Sequence, residues 1–359
     1  MFLVASRLSV LILGLALALN AHGIPKDIQT IREMYQQAPE LWEKPNTYPN
    51  IAYKELAPLP KQAPFPADNP YSKPKAELGE RLFYDPKLSL SQKISCAHCH
   101  KKDFAFGDNT PLSKGHLNQK GSRNAPSILM SAFGREKFWD SRAKSLEDQA
   151  LEPIQDHQEM ALPLQDLLAY LNSSPTYQKA FYKAFKQSPI TQEQVAMALA
   201  TYERTLMPKR GAFDRFLLGE KNALSNQEVW GLHLFRTKAG CMNCHYGIAF
   251  SDGKTHNLGL SYYGRKYQDL GKGAWSQDPK DLGAFKTPSL RGVSRSAPYM
   301  HNGLFPSLRG ILNAYNAGMF HPLPPPHMPP PYPQTSPLLK PLFLTPEELD
   351  AIESFLKTL

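Results

Sequence analysis

Cysteine is scarce here: four residues in 359, and all four fall in two five-residue motifs. None remains to carry a lipid at the start of a mature chain. Basic runs are absent too. The 41 Lys and Arg are scattered, so the net charge of +9 excludes no acidic partner but offers no nucleic-acid motif. It reads as a moderately basic surface. Apolar runs long enough for a comfortable membrane span are also lacking at the beginning of the chain. Leu8 to Leu19 is too short, and with Arg7 before it and small residues at Ala18 and Ala21 it reads as a secretory signal over residues 1–21. An uncleaved anchor is the competing reading; no stable membrane anchor is expected. Removal of the signal takes away Arg7 and lowers the charge from +9 to +8.

The two motifs are Cys96-Ala97-His98-Cys99-His100 and Cys241-Met242-Asn243-Cys244-His245. Cysteines three positions apart can each add to a vinyl group of one porphyrin, and the adjacent His then supplies the proximal iron ligand. A zinc site or a redox pair needs only the C-x-x-C part, and neither requires His after both pairs. Two covalently bound haem c groups are therefore expected, on Cys96, Cys99, Cys241 and Cys244, with His100 and His245 on the irons. Haem attachment of this kind takes place outside the bacterial cytoplasm, which agrees with export and a periplasmic location.

The chain carries a faint internal repeat. Gly79-x-x-Leu82-Phe83 precedes the first motif and Gly231-x-x-Leu234-Phe235 the second. Both lie in helix-like stretches, opened by Ser72 with Pro74 and by the capping-box pair Ser225 and Glu228. A small residue there lets one helix cross another closely. A matching last helix is signalled by Thr345, Pro346 and Glu348, with Leu349, Ile352, Leu356 and Leu359 as its apolar stripe. The expected fold is all-α: two cytochrome c-type haem domains, 69–218 and 219–359, with long loops. Outside these cores, a Pro-rich and aromatic arm over residues 22–68, with Trp42, Tyr48 and Tyr53, is expected to wrap the surface in extended form. A Pro-rich insertion over about 322–341 favours polyproline II. It reads as a rigid surface excursion, with a partner-docking loop as the other reading. Its His321, His327 and Met328 read as exposed loop residues.

Longer motifs carry a resemblance. Phe138-Trp139-Asp140-Ser141-Arg142, Leu146-Glu147-Asp148-Gln149-Ala150, Pro153 and Glu159-Met160 look like the bacterial di-haem cytochrome c peroxidase and MauG family. So do Thr287-Pro288-Ser289-Leu290-Arg291 and Ala297-Pro298-Tyr299-Met300-His301-Asn302-Gly303. The likeness runs from about Asn69 onward, except for the insertion. It implies that the first haem activates hydrogen peroxide while the second stores or relays electrons. Glu159 resembles the distal acid that moves a proton between peroxide oxygens; read alone, it would be an exposed helical acid. Gln149 matches the distal amide, and Pro153 would shape the pocket. Trp139 matches the Trp between the haems, and could equally be a core residue.

The same resemblance implies an inter-haem calcium, held by Asn124 and by backbone carbonyls at Ser296 and Pro298. His116 lies 16 residues after His100, where some relatives carry a sixth ligand that closes the resting haem. Either it gates the first iron or it is a loop His. For the second haem, the position that is Met in the peroxidases is Tyr315 here, as it is Tyr in MauG. A phenolate would lower that haem's potential. Met300 and Met319 are rival ligands, and packing alone is the other reading of Tyr315.

The expected activity is peroxide reduction, with electrons from a small redox protein or from aromatic side chains of a protein substrate. Tyr315 favours the second version. Against it, the surface Trp that MauG carries six residues before the second proximal His is Ala239 here. Any route to a partner would leave elsewhere, through Trp230, Trp275 or nearby tyrosines. The competing readings are a plain electron-transfer cytochrome, which would leave Glu159 and Gln149 idle, and a haem-based sensor docked by the Pro-rich loop.

Overall fold

The two repeated glycines sit where two pairs of helices cross. Ser72 caps helix Lys73–Tyr84, its hydroxyl accepting from the Lys75 amide, with Pro74 in the first turn. This helix lies against Gln192–Thr205, which Thr191 and Gln194 open with a capping box. At Gly79 a Cβ would stand 2.7 Å from the carbonyl carbon of Ala198. Ser225 and Glu228 form the capping box expected of them at the start of Asn226–Arg236. That helix crosses Pro346–Leu356, closed at its own start by Thr345 and Glu348. At Gly231 a Cβ would stand 2.6 Å from the carbonyl carbon of Ala351. Any side chain at either position must push backbone away from backbone. Gly231→Ala is therefore expected to cost about 1–3 kcal/mol by overpacking, read as a lowered melting temperature of the holoprotein. A melting temperature equal to wild type would show that the crossing does not need glycine.

Each crossing anchors its own apolar core. The first gathers Leu82, Phe83, Leu171, Phe181 and Leu199. The second gathers Phe213, Phe235, Phe250, Phe355 and Leu356, whose rings meet mostly edge to face, with Phe235 and Phe355 centroids 5.4 Å apart. Each such buried side chain contributes roughly 1.5–3 kcal/mol. Leu349 and Ile352 of the expected stripe are buried as well.

The computed structural model describes residues 24–25 and 27–359, so the signal read over 1–21 lies outside the described residues. Among them, no helix is long and apolar enough to cross a membrane. The chain is mostly helical, but not wholly. Thr255–Asn257 and Ala284–Lys286 pair antiparallel, with His256 opposite Phe285. Three residues per strand is too short a run for alternation to show in sequence.

The arm differs from the extended wrapping expected of it. Ile28–Tyr35 is a helix packed on Asn226–Arg236. Ile28, Ile31 and Tyr35 form a stripe at helical spacing, and burying it overrides the surrounding prolines. Tyr35 and Trp42 are buried, with the Arg236 guanidinium 5.5 and 5.0 Å from their ring centres and 2.5 Å from Glu55. Residues 43–68 hold no helix or strand. Residues 322–341 have none either, and lean on the 263–264 turn, where the Tyr263 hydroxyl donates to the Pro329 carbonyl.

Candidate active site

Both C-x-x-C-H motifs open on one cavity of about 1490 Å³. Cys96, Cys99, His100, Cys241, Cys244 and His245 all line it, among apolar walls that include Phe83, Ile94, Leu129, Phe235 and Leu312. In each motif the His amide donates to the first Cys carbonyl, at 2.9 Å for His100 and 2.8 Å for His245. The rings are oriented alike. His100 Nδ1 lies 3.0 Å from the Phe106 carbonyl and His245 Nδ1 lies 2.8 Å from the Phe250 carbonyl. A carbonyl can only accept, so each Nδ1 carries the proton and Nε2 keeps its lone pair for a metal. Burial also lowers the pKa of both imidazoles, which favours the neutral, ligating form. The same burial pushes the Cys96 thiol up and brings Cys99 to about 11 and Cys241 to about 12.

Lys137, buried, and Lys286, half-buried, also line the cavity. Lys137 donates to the carbonyls of Ser131 and Gly134, and Lys286 to that of Glu136; among the described residues neither forms a salt bridge with a carboxylate. Burial first, then the neighbouring Lys286 charge, brings Lys137 down to about 7. Burial lowers Lys286 as well, and raises Glu203 beside them to about 7. Cations left so poorly compensated at an apolar cavity wall suit a large flat ligand that carries carboxylates, as haem does.

Gln149, Pro153 and Glu159 line the same cavity as His100. Ser145 caps the short helix Leu146–Ala150 that carries Gln149, and Pro153 sits in the first turn of Glu152–Gln155. Glu159 follows in a turn, its amide donating to the Asp156 carbonyl at 3.0 Å. It is exposed by surface area, although the walls of the cavity stand around it. Its carboxyl is pushed up to about 7, by burial first and then by the Asp156 charge, with Arg142 opposing. His116 is close in backbone terms: its amide donates to the Glu159 carbonyl at 2.8 Å. Its ring does not line the cavity, and its buried Nδ1 has no hydrogen-bond partner.

Trp139 bridges segments far apart in sequence. Its indole N–H donates to the Asn124 carbonyl at 2.9 Å, and its own carbonyl accepts from the Lys286 amide at 2.7 Å. Asn124, Ser296 and Pro298 all line the cavity, and the Asn124 amide nitrogen is turned onto the carbonyls of Thr110 and Pro111. Arg123 holds this region together, pairing with Asp140 at 2.6 Å and with Asp269 at 2.7 Å. Phe285 stacks on His301 at 3.5 Å between centroids.

Tyr315, on helix Leu308–Asn316, lines the cavity, and burial raises its phenol pKa, followed by Cys244 and Cys241. Of its rivals, Met300 lines the cavity and Met319 does not. His321 and His327 are exposed and Met328 half-buried, and none of the three lines it. Cys244, Asp252 and His256 lie close enough for one metal ion. Cys244 belongs to an attachment motif, so that group is read with the second haem.

A family model described as di-haem cytochrome c peroxidase matches residues 73–222. The methylamine utilization protein MauG of Methylophilus methylotrophus is 36% identical over 272 residues, covering 75% of this chain and 80% of that protein. The cytochrome c551 peroxidase of Pseudomonas aeruginosa is 37% identical over 255 residues, covering 68% and 72%. A solved MauG-like protein associated with microbial copper homeostasis superposes with a TM-score of 0.74 at 30% identity, covering 84% of this chain and 94% of that one.

This chain belongs to the di-haem cytochrome c peroxidase family.

A member of this family is a haem oxidoreductase of the peroxidase type, and two haem c groups account for both attachment motifs. Sequence reasoning passed over several residues of this di-haem site. Lys137, Lys286 and Glu203 are single charges without a pattern around them. Lys54 and Glu55 bring the arm into the cavity wall, which no local signal in a Pro-rich stretch announces.

Proposed function

We propose that this di-haem cytochrome c peroxidase family member works in the periplasm and reduces hydrogen peroxide at its first haem, carried by residues 69–218. Residues 219–359 then hold the electron-transfer haem. The observation that carries this reading is the meeting of His100, Gln149, Pro153 and Glu159 on one cavity. When bound, the first haem would be held by Cys96, Cys99 and His100 and would supply the iron redox chemistry that cleaves the O–O bond of peroxide. Glu159 takes a proton from one peroxide oxygen and returns it to the other, for which a carboxyl near 7 is suited at neutral pH. Gln149 donates a hydrogen bond to the bound oxygens, and Pro153 fixes the wall beside them. The balance is one peroxide, two electrons and two protons to two waters.

Trp139, set between Asn124 and Lys286, relays those electrons. They come from a small redox protein or from Trp or Tyr side chains of a protein substrate. Tyr315, as ligand of the second iron with His245, favours the latter. A calcium ion on the Asn124 carboxamide oxygen and the Ser296 and Pro298 carbonyls belongs to the same reading, since hard cations select such oxygens. The position of His116 outside the cavity lining supports a first site that is open in the oxidised protein.

The test is steady-state turnover of holoprotein with a reduced protein donor. Two electrons consumed per peroxide are expected. Electron exchange without loss of peroxide would favour the plain electron-transfer cytochrome.

A further inference from the structure

A macromolecular partner is too large to enter the cavity, so it exchanges electrons with it from the protein surface. The relevant surface position in the sequence argument, Ala239, is a buried aliphatic residue that cannot be oxidised. Of the four tryptophans, Trp42 and Trp230 are both only 5% exposed, and Trp139 lines the cavity. Trp275 is 46% exposed. Its indole N–H donates to the Asp140 carbonyl at 3.0 Å, and Asp140 is the residue next to Trp139. From the inter-haem indole to a surface indole there is one stretch of backbone and one hydrogen bond.

Both ends of that link are held. The Asp140 carboxylate is gripped by Arg123 at 2.6 Å and by Arg142 at 3.1 Å. Trp275 sits in the short helical turn Gly273–Ser276, with Lys272 before it paired to Asp281 at 3.2 Å. The Lys272 amide also donates to the Ala284 carbonyl at 2.9 Å, two residues from Lys286, whose own amide binds Trp139. Trp275 is thus tied to Asp140 directly, and its neighbour Lys272 to the strand that carries Lys286.

We infer that Trp275 is the port through which electrons pass between Trp139 and a macromolecular redox partner. The inference rests on the peroxidase reading above. An oxidised Trp139 takes one electron from Trp275, and the partner returns one electron to Trp275. Two such transfers serve each peroxide, the two protons coming from solvent. No bond to Trp275 forms or breaks, and its N–H stays on Asp140.

The test uses oxidised holoprotein in two mixing steps. Hydrogen peroxide is added first and the haem absorption followed. Reduced azurin is then added as the protein donor, and its oxidation is timed. In Trp275→Phe the azurin step is expected to slow at least tenfold relative to the peroxide step. Trp275→Tyr, which can still be oxidised, is expected to restore most of that loss, which a purely structural role would not. An azurin step in Trp275→Phe equal to wild type, or a Trp275→Tyr no faster than Trp275→Phe, overturns the assignment while leaving the peroxidase reading standing. A wild-type protein inert to peroxide overturns both.

Discussion

Glu159→Gln lowers the rate of peroxide reduction by about 10²–10⁴-fold, the range that a positioned acid–base group contributes. Glutamine keeps the size of the side chain and its place on the cavity wall. It cannot accept a proton from one peroxide oxygen and deliver it to the other. The haem content and the folded state should therefore be unchanged, so the loss falls on chemistry alone. A pH dependence goes with it. The carboxyl sits near 7, raised chiefly by burial, so the proton-accepting carboxylate dominates only above that pH. The wild-type rate should fall as pH drops through about 7, and the residual rate of Glu159→Gln should lack that step. Stopped-flow rates between pH 5.5 and 8.5 would show both. A variant within twofold of wild type would remove Glu159 from the reaction.

Tyr315→Met raises the potential of the second haem by tenths of a volt, out of the roughly 0.8 V that axial ligands span. The reasoning turns on charge. Burial holds the free phenol strongly protonated, so only a cation against the oxygen can draw the proton off. A ferric iron ligated by Tyr315 would do so and would be stabilised by the resulting anion, whereas a thioether is neutral and favours the reduced state. The more positive haem should accept electrons from milder reductants and hold oxidising equivalents less well. Potentiometric titration of both haems measures the shift. An unchanged second potential would mean that Tyr315 only packs, and would turn attention to Met300, the one rival that reaches the cavity.

Sequence made some layers of this molecule readable and hid others, for physical reasons. Helix crossings were readable because close backbone approach leaves only glycine, and the two G-x-x-L-F stretches stand against Ala198 and Ala351 as a crossing requires. Helix starts were readable because Ser72, Ser225 and Thr345 satisfy amide donors that the helix leaves open. Gln149, Pro153, Glu159 and Trp139 could be proposed because they stand in recognisable strings, and Tyr315 from its matching position, and all five line one cavity. The buried helix Ile28–Tyr35 was hidden by prolines around it. Its stripe is one face of two turns, too short to stand out. Lys137 and Lys286 were hidden more deeply, because their role depends on burial after folding. Spacing also could not settle His116: sixteen residues of loop can end on either side of a wall.

The central claim is that peroxide is consumed at the first haem. Its most direct test is one equivalent of hydrogen peroxide added to fully oxidised holoprotein, followed by haem absorption and ferric EPR. An open first site with Glu159 beside it predicts prompt loss of the high-spin ferric signal and an absorption change that outlasts the peroxide. Spectra unchanged in the oxidised protein, and unchanged again after one electron is supplied, would contradict it.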